Sequence, residues 1–127
     1  MKRLTREWVR KVEEDYRVAQ RLRRDADPLH DAVCFHCQQS GEKFLKGLME
    51  ELGLSVPKTH DLEDLLTLLL PHHPSLRPLR RGLKFLTPFG VDIRYPGKRA
   101  SKREAVAAFR WAGRVRGECR LLLGLRL

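Results

Sequence analysis

The chain has 127 residues, within the usual size of one domain and long enough to bury one core. Its 33% charged and 42% hydrophobic residues exclude a low-complexity chain, and no apolar run approaches the roughly 18 to 20 residues a membrane span needs. The net charge of +10 comes from 18 Arg and 8 Lys against 16 acids, so the positive surface is largely guanidinium and suits carboxylate or phosphate partners.

Trp8, Val12, Tyr16, Ala19, Leu22 and Ala26 recur at steps of three and four, which predicts a first helix from Thr5 to Ala26. Asp27-Pro28 then offers a cap oxygen and a first-turn Pro, so a second helix is expected from here to Leu52, closed by Gly53. Its apolar face is Val33, Cys37, Phe44, Leu48 and Leu52, and the small Cys37, Ser40 and Gly41 predict close approach of another helix. Thr59 or Asp61 can cap a short third helix running through Leu70, which Pro71 and Pro74 end. Leu76, Leu79, Leu83 and Leu86 predict a fourth helix with Pro78 in its first turn and an outer face of Arg77, Arg80, Arg81 and Lys84. From Thr87 to Ala100 the periodicity disappears into a connection of about fourteen residues, long for a compact domain and therefore of functional interest. Ser101-Lys102-Arg103-Glu104 matches the reciprocal capping box. Ala105, Ala108, Ala112, Val115, Cys119 and Leu122 continue a fifth helix whose stripe ends near the C-terminus. The expected fold is all-α, an antiparallel up-and-down bundle of four to five helices forming a single domain over residues 1–127.

Three Cys are an odd and sparse set, which argues for thiols in a reducing compartment and for a cytoplasmic protein. Cys34 and Cys37, with His30 or His36, have a zinc-like spacing, yet both fall in a helical core pattern and no second pair exists, so neither a metal nor another cofactor is expected. His36, Gln39 and Lys43 share one face of the second helix, with Glu42 one step round. In one reading Gln39 and His36 bond to neighbouring helices or across a dimer seam while Glu42 and Lys43 are solvated. In the other the face is a nucleotide pocket, with Lys43 on phosphate and Gln38 or Gln39 reading a base edge. Arg94, Tyr95 and Arg99 precede the fifth helix, whose start also carries Lys98, Lys102 and Arg103. Such a cationic helix start is unfavourable unless an anion offsets it, which makes this a second candidate phosphate site beside a purely packed loop. The basic runs Arg77/Arg80/Arg81/Lys84 and Arg110/Arg114 lack interleaved aromatics, so nucleic-acid binding through them rests on charge alone.

Trp8, the run Phe35-His36-Cys37-Gln38-Gln39-Ser40-Gly41-Glu42-Lys43-Phe44-Leu45-Lys46, Thr59-His60-Asp61-Leu62 and Arg94-Tyr95-Pro96 together resemble the HEPN domain family over nearly the whole chain. The resemblance implies a bundle similar to the C-terminal domain of aminoglycoside nucleotidyltransferases, and frequent homodimerisation. It further implies a separately encoded small nucleotidyltransferase as partner, often in a toxin–antitoxin pair. HEPN ribonucleases carry an Arg followed four to six residues later by a His near the start of the last conserved helix. No His follows Arg94, because His73 is the last in the chain. Arg24 and His30 have a similar spacing but lie before the second helix. The expectation is a non-catalytic nucleotide-binding or interaction module with a nucleotidyltransferase partner. The alternatives are a degenerate ribonuclease using Arg94 with no base identified, and a basic nucleic-acid-binding protein.

Overall fold

The computed structural model describes residues 1–126, so Leu127, the last residue of the expected domain, lies outside the described part. Five α-helices form the molecule: α1 (Arg3–Arg23), α2 (His30–Leu52), α3 (Leu62–Leu69), α4 (Arg80–Leu86) and α5 (Lys102–Leu122). No strand occurs among the described residues. α2 is central. Val33, Cys34, Cys37, Phe44, Leu45, Leu48 and Met49 are buried along it, and α1, α3 and α5 pack around it.

Side-chain partners fix the directions. Early residues of α1 meet late ones of α2, as Trp8 does Gly47, so these helices are antiparallel. Glu13 pairs with Arg116 and Tyr16 stacks on Phe109, so α1 is antiparallel to α5 as well. α2 and α5 therefore run the same way, and the segment containing α3 and α4 carries the chain back between them. The starts of α2 and α5 are joined by Asp31, whose carboxylate accepts from the Ala100 amide at 2.7 Å.

Helix ends follow local chemistry where the chemistry is complete. Ser101 accepts from the Glu104 amide at 3.0 Å and Glu104 accepts from the Ser101 amide at 2.9 Å, the expected capping box. Asp61 caps α3 by accepting from the Glu63 and Asp64 amides. Gly53 ends α2 at φ 75°, a left-handed conformation that glycine adopts without strain.

Three boundaries differ from the sequence expectation. α1 stops at Arg23 rather than Ala26, and α2 starts at His30. Leu29, at φ −94° and ψ 84°, is not helical, so the Asp27 oxygen stands too far upstream to cap the first turn. The expected fourth helix is divided into a 3₁₀ helix (Pro74–Leu79) and α4 (Arg80–Leu86), because Pro78 has no N–H for an α-helical ladder through this segment. The connection after α4 is not structureless either. It folds as two 3₁₀ turns, Thr87–Gly90 and Asp92–Arg94, which bury Phe89, Gly90 and Ile93. Close helix approach on α2 is tight at Gly47, where an added Cβ would stand 3.1 Å from Trp8 Cβ. At Gly41 the same atom would meet Leu62 Cδ1 at an ordinary 3.4 Å.

Candidate functional site

The polar groups of α2 divide into two clusters, one on each side of the helix. On the side facing α1, Asp15 accepts from His36 Nδ1 at 2.8 Å and from Lys43 Nζ at 2.7 Å. A carboxylate can only accept here, so the His36 Nδ1 carries the proton and Nε2 is left as the second ring atom. Asp15 is buried. Burial pushes its carboxyl pKa up, and the bonds from His36 and Lys43 outweigh this, leaving it below the ordinary value of 3.8.

Gln38, Glu42 and Lys46, spaced by four, form the second cluster against the α2–α3 connection. Glu42 accepts from Gln38 Nε2 at 3.2 Å, Lys46 Nζ at 3.0 Å and His60 Nδ1 at 2.9 Å. Burial again pushes the Glu42 carboxyl up, and the bonds from His60, Lys46 and Gln38 reverse the shift to below the ordinary 4.5. Gln38 also donates to the His60 carbonyl, accepts from Gln39 Nε2 at 2.8 Å, and packs on Gly90, where an added Cβ would come within 2.7 Å of the Gln38 Cδ.

The expectation of a solvated Glu42 and Lys43 is thereby corrected. Glu42 is buried because the four-residue stripe from Gln38 to Lys46 packs against the α2–α3 connection at His60, and Lys43 is held on Asp15. Gln39 bonds its neighbour Gln38 rather than another helix. The residue overlooked in the sequence is Asp15. Its signal was an acid between Val12 and Ala19, on the inner face of α1.

Arg94 reaches α2, its guanidinium carbon lying 5.3 Å from the centroid of the Phe35 ring, which in turn meets the His36 ring edge-on at 5.2 Å. Tyr95 is 58% exposed. Arg99 borders two shallow clefts, one with Asp92, Ile93 and Lys98, the other with Asp27, Leu29 and His30. Thus His36 and Lys43 meet on Asp15, Arg94 reaches this side of α2 through the Phe35 ring, Gln38 and Gln39 belong to the opposite cluster, and Arg99 stands apart.

All three thiols are buried. Burial first, then Glu104 and Asp31, pushes Cys34 up to about 12, and burial raises Cys37 and Cys119 as well, so all are held as neutral thiols. No group of His, Cys, Asp and Glu able to hold a metal ion occurs among the described residues.

A groove of about 430 Å³ opens where the end of α1 and the start of α2 meet the outer face of α5. Arg23, His30, Lys102, Val106, Phe109 and Arg110 line it. The Arg23 guanidinium carbon lies 4.4 Å from the Phe109 ring centroid, Phe109 stacks on Tyr16 at 5.1 Å, and Arg116 lies 5.0 Å from the Tyr16 ring while forking onto Glu13. The sequence signal for this groove was the spacing of Lys102, Val106 and Arg110 by four, a second stripe beside the buried one of α5.

The HEPN domain family matches residues 5–122. This chain belongs to the HEPN family. Its fold agrees: TT1696 from Thermus thermophilus superposes with a TM-score of 0.80 at 27% identity, over 91% of this chain and 95% of that one. ST0689, described as an archaeal HEPN homologue, superposes with a TM-score of 0.70 at 25% identity, over 94% and 99% of the two chains. No match is found among curated proteins. Within this HEPN bundle no helix among the described residues is long and apolar enough to cross a membrane.

Proposed function

We propose that this HEPN protein is a non-catalytic nucleotide-binding and interaction module that dimerises and works beside a separately encoded nucleotidyltransferase, as one half of a toxin–antitoxin pair. The observation that supports it is the internal pairing along α2. Asp15 holds His36 and Lys43, and Glu42 holds His60 and Lys46, so the polar signature of the helix serves the packing of the bundle. The +10 charge then favours an acidic protein surface or a phosphate as the external partner. Co-expression with a nucleotidyltransferase encoded beside it tests the pairing. A stable complex in size-exclusion chromatography is expected, and two separately eluting proteins would sink it.

One arrangement favours a second reading, a metal-free ribonuclease. Asp15 orients His36 in the manner of a carboxylate–histidine dyad, and Arg94 stands across the Phe35 ring from it. In that reading His36 Nε2 takes the proton of an RNA 2′-hydroxyl, the oxygen attacks phosphorus, and Arg94 stabilises the phosphorane charge. The P–O5′ bond then breaks to leave a 2′,3′-cyclic phosphate while the departing 5′-oxygen takes a proton from water. RNA cleavage by purified protein in a chelator, lost in both His36→Ala and Arg94→Ala, supports this second reading; inert wild-type protein refutes it.

A further inference from the structure

We infer that the groove between the α1–α2 turn and the outer face of α5 binds a nucleoside polyphosphate, its phosphates on Arg23, Lys102 and Arg110 and its nucleoside against Val106 and Phe109. The inference rests on the nucleotide-binding part of the function proposed above and gives it a place away from the α2 face.

Four observations converge on this ligand. The first is size: about 430 Å³ lies in the range of small-molecule sites, well beyond what one phosphate fills. Charge is the second. Three permanent cations line the groove and no Asp or Glu does. The acids at the starts of α2 and α5 are committed elsewhere, Asp31 to the Ala100 amide and Glu104 to the Ser101 amide. Among the described residues Arg23, Lys102 and Arg110 form no ion pair. By contrast, Lys43 and Lys46 on α2 are already neutralised by Asp15 and Glu42.

Preorganisation is the third. Arg23 lies against the Phe109 ring in a stacked column continued by Tyr16 and Arg116, so its fork is held in place before a ligand arrives. The fourth is spacing. Lys102 and Arg110 are eight residues apart on α5, about 12 Å along the axis. Between them Val106 is 50% exposed, an apolar step in a cationic stripe. An elongated ligand with charge and an apolar body matches that sequence of contacts, whereas a compact anion meets only one end.

The test is calorimetric titration of the full-length protein with ATP, with inorganic triphosphate and adenosine as separate titrants. Lys102 and Arg110 are exposed, so Lys102→Glu/Arg110→Glu preserves the packing of the fold, and circular dichroism verifies it. The double variant is expected to weaken ATP at least about tenfold, and Val106→Trp, which fills the groove without changing charge, to weaken it comparably. Lys84→Glu, an equal type of charge reversal on the exposed face of α4, is expected to change affinity less than about threefold. ATP binding unaffected by the groove variants overturns this inference and leaves nucleotide binding standing. No ATP binding by wild type overturns both. Triphosphate binding as tightly as ATP removes the nucleoside from the assignment, and binding of single-stranded RNA but not ATP replaces it with a polynucleotide.

Discussion

Glu42 is a buried carboxylate that meets Gln38, Lys46 and His60 at once. The side chains of Glu42 and Lys46 are 7% and 8% exposed, so neither charge is relieved by water if the other is removed. Glu42→Gln is expected to cost about 3 to 5 kcal/mol, read by urea denaturation, because it leaves Lys46 buried and unpaired. Glu42→Leu/Lys46→Met should recover most of that loss, and equal losses in both variants would show that the charge pair is not the cause. The sequence exposed this cluster only in part. The four-residue step from Gln38 to Glu42 to Lys46 is local and readable, whereas Asp15 lies 21 residues from His36 and 28 from Lys43. No periodicity within one helix announces a partner at that separation, and so Lys43 read as free. The groove escaped for a related reason: its cations come from two helices, α1 and α5, whose proximity only the tertiary fold creates.

At the level of elements, legibility tracked the completeness of the local signal. Ser101 with Glu104, Asp61 and Gly53 each carry their own cap chemistry, and all three ends stand where the residues place them. The segments rich in Pro and Gly after α3 were less readable, since 3₁₀ turns leave no 3.6-residue period; their shape comes from contacts such as Thr87, which accepts from the Leu62 amide and donates to the Leu83 carbonyl. Glycines on two helices make opposite predictions. A Cβ at Gly82 would stand 2.1 Å from Trp111 Cε3, so Gly82→Ala must push α4 off α5 and is expected to destabilise by about 2 to 3 kcal/mol. A Cβ at Gly117 meets nothing within 4 Å inside α5, so Gly117→Ala should stabilise by about 0.5 to 1 kcal/mol, the gain of helix propensity alone. Both are measured by chemical denaturation, and a loss at Gly117 as large as at Gly82 would contradict the packing described.

Across the whole molecule, two depressed carboxylates set the acid limit of the fold. Asp15 and Glu42 have folded-state pKa values below their ordinary 3.8 and 4.5. Their contribution is therefore complete above the unfolded values and lost as pH falls through the lower folded ones. Stability is expected to be level from neutral pH down to about 5 and then to drop, with Asp15→Asn/Glu42→Gln showing a shallower slope below about 4.5. Protonation of the other acids adds repulsion among 26 Lys and Arg charges in the same range, a term that salt screens, whereas the buried pairs respond little to salt. An acid slope abolished entirely by salt would assign the effect to surface charge. The two tryptophans occupy different helix seams, Trp8 with its Cβ against Gly47 between α1 and α2, and Trp111 with its ring on Gly82 between α4 and α5. The protein consequently carries two built-in fluorophores, one per seam. With Trp8→Phe the remaining emission belongs to the α4–α5 contact, next in sequence to Arg110, so opening of that seam becomes visible as light without any added label.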